Sequence, residues 1–239
     1  MKDDLTIFLH IPKTGGTTLN KIFQKQFSQE ELFDHNRFNG EITKLELLTL
    51  EEKEKVKAVS GHYIFGIHRH FSLPFNYFTM LRDPVERVVS SFYFLRDFKG
   101  YEHLKNSSLE EFVKFDPQAH NLQTLMVSGI HNSPDLPLAI QNLKTFKSVG
   151  ITERFDDSLF LLKNVYGWKD IHYTKQNITK QRPSINEVPE HIIELIKKNN
   201  DLDFELYKVA NKLLDDQLKK LTAVERSQLD KYKNERNSY

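Results

Sequence analysis

Short apolar runs alternate along the chain with longer stretches whose apolar residues recur at helical spacing. The short runs predict β-strands over Leu5–His10, Val56–Ser60, Tyr77–Leu81, Ser148–Thr152 and Ile171–Tyr173. The longer stretches predict helices over Thr17–Phe27, Pro84–Phe98, Phe155–Tyr166, Pro189–Lys198 and from Phe204 to beyond Leu221. Strands that alternate with helices indicate an α/β fold, a single domain with a central, mostly parallel sheet flanked by helices.

The remaining regions carry weaker patterns. Residues between the first helix and Lys55 are polar, and we expect them to be irregular or helical. Leu109 to Leu143 has a helical pattern that prolines and a glycine interrupt. The last segment is highly charged, so we divide the chain into a main domain over residues 1–215 and a charged helical extension over residues 216–239. Beyond Gln228 we expect a frayed surface helix.

The first predicted strand leads into a loop that is suited to an anion, HIPKTGGTT at positions 10–18. Gly15 and Gly16 permit a sharp turn and a close approach of the backbone to a ligand. Thr17 and Thr18 can cap the following helix, whose N–H groups and positive dipole end attract anions. Lys13 adds a mobile cation with three donors. The loop therefore predicts a phosphate or sulfate site, and an ordinary strand-turn-helix with a surface lysine is the alternative.

This loop differs from the usual nucleoside-triphosphate loop. That motif, GxxxxGK[ST], places its lysine after the second glycine and beside a Ser or Thr that binds Mg²⁺. Here the lysine precedes the glycine pair, and GK[ST] occurs nowhere in the chain.

A second motif, TMLRDPVERVVSS, begins at the end of the strand predicted over Tyr77–Leu81. Asp83 and Pro84 suit a helix cap and the first helical turn. Arg82 then lies at the carboxyl end of a strand, where open α/β sheets bind ligands. Ser90 lies two helical turns further on, so an arginine fork and a hydroxyl can hold one phosphate group.

Together, HIPKTGGTT and TMLRDPVERVVSSFYFLR resemble the sulfotransferases that use 3′-phosphoadenosine 5′-phosphosulfate (PAPS) as donor. The similarity is to the carbohydrate branch typified by the heparan sulfate 2-O- and 6-O-sulfotransferases, and it covers the chain from about Leu5 to the helix near Leu214. The resemblance implies a P-loop-like sulfotransferase fold, PAPS as co-substrate and a carbohydrate hydroxyl as acceptor.

The resemblance also implies roles for individual residues. The 5′-phosphosulfate site would comprise Lys13, Thr14, Gly15, Gly16, Thr17 and Thr18, and the 3′-phosphate site Arg82 and Ser90. A late loop that closes over the nucleotide would contribute Asn177, Lys180 and Arg182. The Gly61-His62 pair resembles the one that carries the proposed base, so His62 would take the proton of the acceptor hydroxyl. Lys13 would contact the oxygen that bridges phosphate and sulfate.

For the acceptor we expect contributions from His68, Arg69, His70, Asn121 and Gln123. The first three form a local cationic cluster, and the last two resemble a polar NxQ(T) segment of the carbohydrate branch. His68 and His70 are rival bases to His62. The identity of the sugar, the hydroxyl that is sulfated and the oligomeric state stay open.

Bulk properties narrow the class of protein. The 239 residues, 38% hydrophobic and 12% aromatic, suit one globular domain. A net charge of +1 argues against a general nucleic-acid binder, and the absence of cysteine excludes thiol chemistry. We find no acidic metal cage, membrane span or signal segment in the sequence. We expect a cytoplasmic enzyme of bacterial type, since Met1 stands almost directly against the first strand; a trimmed piece of an anchored enzyme is the alternative.

Two other functions compete with the sulfotransferase interpretation. A nucleotide-dependent kinase on a related α/β fold would need a Mg²⁺ ligand set and a lysine after the glycines. A non-catalytic nucleotide- or carbohydrate-binding module would keep the fold without turnover.

Overall fold

The computed structural model describes residues 4–34, 45, 48–173 and 182–237. In these residues the sheet has five strands, all parallel, in the order β2-β3-β1-β4-β5. The strands are β1 (Leu5–Leu9), β2 (Leu32–Asp34), β3 (Ala58–Gly61), β4 (Phe75–Leu81) and β5 (Ser148–Ile151). The expected α/β fold with a central parallel sheet is confirmed.

Helices connect the strands and cover both faces of the sheet. In the described part of the chain they are α1 (Gly16–Gln24), α2 (Leu50–Lys55), α3 (Pro84–Leu95), α4 (Leu109–Phe115), α5 (Leu122–Ser128), α6 (Leu136–Thr145), α7 (Phe155–Tyr166), α8 (Glu190–Asn199), α9 (Asp201–Lys219) and α10 (Ala223–Asn237). Side chains of β1 alternate between the faces because the period of a strand is two. Ile7 packs in the core that contains residues of α5, α6 and α9, whereas Phe8 packs with α1 and α7. All five residues of β1 are buried, which explains why its sequence is an almost continuous apolar run.

The strand order places a ligand crevice beside β1. In the sheet β1 lies between β3 and β4, so the chain passes β1 on its way from β3 to β4. The loops that follow these strands therefore diverge at the carboxyl ends. In open parallel sheets such a switch point is where ligands bind. Lys13, His62, Arg82 and Thr152 all follow strands at this edge.

Several elements differ from the sequence-based expectation. The strand β2 lies within the stretch that was expected to be irregular or helical, because three residues are too few for a recognisable pattern. Ile171–Tyr173 forms no strand: these residues have irregular structure and pack against helices instead. The expected boundary after residue 215 falls inside α9, which is continuous to Lys219.

The tail also departs from expectation. Helix α10 continues to Asn237, well past Gln228, and it buries Leu229 against the domain rather than fraying. No helix within the described ranges is long and apolar enough to cross a membrane. The expected cytoplasmic location stays a prediction.

Candidate active site

The loop between β1 and α1 turns through two left-handed residues, Lys13 (φ 67°) and Gly15 (φ 79°). Gly15 is the N-cap of α1, so Thr17 and Thr18 lie in the first helical turn rather than capping it as expected. The backbone N–H groups of this turn have no partner within the helix itself, and they form an anion site together with the positive end of the helix dipole. Glycine suits the cap because a left-handed φ costs it nothing.

Two threonines fix this loop to the sheet. The side chain of Thr14 is fully buried, and its hydroxyl donates to the carbonyl of Ile11 at 2.9 Å. Thr152, which follows β5, donates to the carbonyls of Thr14 (2.8 Å) and Leu81 (3.0 Å). Thr14 therefore holds the loop in shape through its side chain, and it does not line the cleft in front of the loop.

Gly16 is required by a close aromatic neighbour. A Cβ atom at this position would lie 1.9 Å from Nε2 of His10. The His10 ring is buried and stacks on Phe8, with ring centroids 5.1 Å apart. His10 therefore forms the floor beneath the first turn of α1, and any side chain at position 16 would displace it.

A cleft of about 930 Å³ opens in front of this loop. Many of the residues assigned to the donor and the base line it, namely Lys13, Gly15, Gly16, Thr17, Thr18, His62, Arg82, Ser90 and Arg182. Its other walls include the aromatic side chains Phe94, Phe98, Tyr101, Phe155 and Tyr173. The tertiary structure thus brings together the two motifs and the histidine that follows β3.

Lys13 extends into the cleft with its ammonium nitrogen 3.8 Å from the centroid of the Phe94 ring. The face of an aromatic ring attracts a cation, so this contact holds the side chain in place. Burial, together with the charges of Arg82 and Arg182, lowers the pKa of Lys13 to about 8. An anion bound beside the lysine would favour its charged form and raise this pKa again.

Arg82 and Arg182 meet at one carboxylate. Arg82 Nη2 donates to Glu86 at 2.9 Å, Arg182 Nη2 donates to the same oxygen, and Arg182 Nη1 donates to the Glu86 carbonyl at 3.2 Å. Arg82 Nη1 also donates to the carbonyl of Lys13 at 3.1 Å. Burial and the neighbouring Arg182 lower the pKa of Arg82, and Glu86 opposes this shift. Glu86 thus keeps two like-charged guanidinium groups side by side.

Gln123 supports Arg82 from behind and does not line the cleft. Its side chain is fully buried, where it accepts from the backbone N–H of Arg82 and donates to the Arg82 carbonyl, both at 2.9 Å. The buried carboxylate of Asp203 accepts from the backbone N–H of Gln123 at 3.1 Å and fixes the start of α5. Asn121 pairs with α9 through Asp201 and the backbone of Asp203. Neither Gln123 nor Asn121 lines the cleft, and both make packing and positioning contacts, so their expected contact with substrate stays a prediction.

His62 lies at the carboxyl end of β3, exposed at the cleft. Its Nδ1 is 2.8 Å from the carbonyl oxygen of His10, and the two imidazole centroids are 4.4 Å apart. A carbonyl oxygen only accepts, so this contact places a proton on Nδ1. In the neutral ring Nε2 then carries the lone pair, which is the arrangement a general base needs.

Two serines of α3 line the cleft. Ser90, the expected phosphate ligand, is 5% exposed, and Ser91 is 1% exposed. Ser91 Oγ has no hydrogen-bond partner within the described residues. The sequence analysis did not select Ser91, although it directly follows Ser90. Which of two adjacent serines reaches the cleft depends on the orientation of the helix, and here both do.

The cationic cluster expected to bind the acceptor lies elsewhere. His68 stacks on Phe75, with centroids 3.8 Å apart, and its Nδ1 is 2.8 Å from the hydroxyl of Tyr77. Phe75 begins β4 at the amino end of the sheet, about 20 Å along the strand from the cleft edge. His68, Arg69 and His70 are absent from the cleft lining because the chain returns along the sheet after β3. Their expected substrate contact, and the rival base role, are not supported by this position.

Asn177 and Lys180 lie outside the described residues. Arg182 is the described member of the expected late loop, and it reaches the cleft as set out above. In the described part of the chain no group of three or more acidic or histidine side chains is arranged to hold a metal ion.

Comparison with known proteins decides the family. A model of the sulfotransferase family matches residues 2–209. The chain belongs to the sulfotransferase family. This confirms the predicted family, the sulfotransferases that use PAPS as donor, and with it the predicted enzyme class.

Curated relatives support the same assignment at low identity. The chain is 25% identical to heparan-sulfate 6-O-sulfotransferase 2 of Gallus gallus over 88% of its length, and 26% identical to heparan-sulfate 6-O-sulfotransferase 3 of Homo sapiens over 88%. It is 28% identical to galactose-3-O-sulfotransferase 3 of Mus musculus over 55%. The aligned regions span 67%, 57% and 35% of those proteins, respectively.

A solved structure, mouse sulfotransferase SULT7A1 complexed with PAP, aligns over 97% of this chain and 83% of its own, with a TM-score of 0.42 and 17% identity.

The position of Gln123 leads to a stability prediction. Gln123→Leu keeps the side-chain size but leaves the N–H and C=O of Arg82 unpaired. We expect the free energy of unfolding to fall by about 1–3 kcal/mol for each group left unpaired. Urea denaturation measures this, with Gln228→Leu on the exposed face of α10 as the matched control. Equal stability of the two variants would contradict the positioning role.

Proposed function

We propose that this protein transfers the sulfuryl group of PAPS to a hydroxyl of a carbohydrate acceptor, with His62 as the base. The observation that carries the proposal is the convergence of Lys13, Arg82 and Arg182 on one cleft beside the N-terminus of α1. PAPS, when bound, supplies a sulfuryl group on a phosphosulfate anhydride. Its two anionic ends match the two cationic regions of this cleft.

The loop from Lys13 to Thr18 is suited to the 5′-phosphosulfate. Its helix N-terminus offers backbone donors in a fixed direction, and Lys13 adds a charge that can move. Arg82 and Ser90 are suited to the 3′-phosphate, with Arg182 beside them. An arginine fork binds the tetrahedral oxygens of a phosphate more specifically than a point charge does.

Lys13 is also the residue we assign to the leaving group. Negative charge grows on the oxygen that bridges phosphorus and sulfur as the sulfur–oxygen bond breaks. A protonated amine directed at that oxygen stabilises the transition state more than the ground state. Lys13 is partly buried, and the electrostatic stabilisation is stronger there because the local dielectric constant is lower than that of water.

His62 is assigned the proton of the acceptor hydroxyl. Its Nδ1 is directed to the His10 carbonyl, so Nε2 is the nitrogen that receives the proton. The hydroxyl oxygen then attacks sulfur on the side opposite to the leaving oxygen. Histidine is the side chain that most often acts as a general acid or base in enzymes.

The names of two relatives, heparan-sulfate 6-O-sulfotransferase 2 and galactose-3-O-sulfotransferase 3, support a carbohydrate acceptor. We propose a poly- or oligosaccharide for this chain as well. Phe98 and Tyr101, which line the same cleft as the donor loop, offer aromatic surfaces for such a molecule.

The first test is calorimetric binding of 3′-phosphoadenosine 5′-phosphate (PAP), the product that remains after transfer. Arg82→Ala should weaken binding about 10- to 100-fold, since it removes a hydrogen bond between charged groups. Arg69→Ala removes the same charge at the other end of the sheet and should leave the affinity unchanged. No binding of PAP, with ATP and Mg²⁺ bound instead, would overturn the proposal in favour of a kinase.

The lowered pKa of Lys13 predicts a pH dependence of PAP binding. Deprotonation of Lys13 removes a positive charge from the cleft. The contribution of Lys13 to PAP affinity should therefore be constant below pH 8 and fall as the pH rises above 8. The bound anion raises the pKa of Lys13, so binding near pH 8 should take up protons. Calorimetry in buffers of different ionisation enthalpy measures this uptake. Lys13→Arg, which stays protonated, should abolish it, and an unchanged uptake in that variant would assign the proton elsewhere.

The base is tested by His62→Asn. We expect transfer to fall about 100- to 10,000-fold while PAP affinity is retained, because only the proton transfer is lost. Transfer of labelled sulfate from PAPS to heparan-type and galactose-terminated oligosaccharides provides the assay. His70→Asn is the matched control, since that exposed residue lies at the amino end of the sheet. Equal activity of the two variants would exclude His62 as the base.

A further inference from the structure

Helix α10 lies beyond the residues that the family model matches, which end at residue 209. It is nevertheless a capped helix that packs against the domain. Its start is capped by a reciprocal pair: Thr222 accepts from the Glu225 backbone at 3.2 Å, and the Glu225 carboxylate accepts from the Thr222 backbone at 2.8 Å. Leu229 is 7% exposed, and the Tyr232 ring lies 6.4 Å from that of Phe160 in α7.

The last turns of α10 form ion pairs with the first turn of α7. Lys233 Nζ is 2.8 Å from a carboxylate oxygen of Asp157, whose side chain is only 13% exposed. Arg236 Nε is 3.9 Å from Asp156, the neighbouring residue. Pairs of this kind contribute more when one partner is largely buried than when both are solvated.

Arg236 also contacts Tyr173, which lines the cleft. Its guanidinium carbon lies 3.9 Å from the centroid of the Tyr173 ring, and Nη1 donates to the Tyr173 carbonyl at 2.7 Å. The Tyr173 hydroxyl donates to Asp156 at 2.9 Å, so the two side chains share one carboxylate. The backbone, the ring and the hydroxyl of Tyr173 are thereby all held by α10 or by its partner in α7.

Tyr173 in turn contacts the donor loop through one further ring. Its centroid lies 4.9 Å from that of Phe155, and both residues line the cleft. Phe155 Cε2 would lie 3.4 Å from a Cβ atom on Gly15, so this ring packs directly on the phosphate loop. A continuous series of contacts thus runs from Arg236 through Tyr173 and Phe155 to Gly15.

We propose that Arg236 is a positioning residue for the donor site, and that the charged C-terminal helix is a functional part of that site rather than an appendage. By fixing Tyr173, it holds the aromatic wall against the phosphate loop in the geometry that receives the nucleotide. Tyr173 also packs against the core that contains Phe8, and its hydrogen bonds to Arg236 and Asp156 add direction to this apolar contact. The inference rests on the proposed donor function.

The test compares PAP binding by the full chain and three single variants. Arg236→Ala should weaken PAP binding about five- to tenfold, since it removes a cation–π contact and a charged hydrogen bond that hold the wall. Arg236→Lys keeps the charge and should recover part of the loss. Lys231→Ala, in an exposed ion pair with Glu235 on the same helix, is the matched control and should bind as the unaltered chain does.

A double variant separates positioning from general stability. If Arg236 acts through Tyr173, Tyr173→Leu should weaken binding, and adding Arg236→Ala should weaken it no further. Thermal unfolding and circular dichroism of each variant show whether it is folded at the temperature of the binding measurement.

Each outcome has a definite meaning. Unchanged PAP affinity in Arg236→Ala, with binding intact in the unaltered chain, overturns the inference and leaves the proposed function standing. A lower melting temperature with unchanged affinity assigns α10 to stability alone and also overturns it. Failure of the unaltered chain to bind PAP overturns the donor function and this inference together.

Discussion

The arrangement of this site depends on holding like charges together in a partly buried place. Lys13, Arg82 and Arg182 repel one another and are poorly solvated, and the lowered pKa of Lys13 reflects both effects. Without opposing charges such groups would separate, and the lysine would lose its proton more readily. Glu86 and the ring of Phe94 offset part of the repulsion without filling the cleft. The result is a cationic surface, and a bound anion would offset the remaining electrostatic repulsion between its charges.

The side chains that carry these charges are supported by hydrogen bonds from neighbouring groups that are uncharged or buried. Gln123 fixes the backbone of Arg82, Asp203 fixes the start of the helix that carries Gln123, and Thr152 ties the phosphate loop to the end of β4. All of these groups are buried or partly buried, where a hydrogen bond is stronger and a missing partner is more costly than in water. A rigid second layer of this kind keeps the flexible side chains in front of it within reach of one another.

Local sequence signals predicted much of the candidate site. The loop with its glycine pair, the Arg-Asp-Pro helix start and the strand ends were predicted because each depends on backbone preferences of neighbouring residues. Gly15 takes a left-handed φ, and Asp83 caps α3 as its sequence suggests. In a parallel sheet all strand ends share an edge, so the gathering of Lys13, His62 and Arg82 also follows from the order of elements.

Roles that depend on the path of the chain in space could not be obtained in this way. His68–His70 is close to His62 in sequence, yet the chain runs back along the sheet before it reaches that cluster. Gln123 is polar and near the cleft, and only the tertiary structure shows that it is buried and hydrogen-bonded to the Arg82 backbone. The C-terminal helix has a sequence typical of a solvated surface, and its function is set by which carboxylates α7 presents to it. The sequence by itself determined the chemistry that the chain carries, because that chemistry resides in short motifs; the tertiary structure decided which groups support it, because burial and long-range contacts have no local signature.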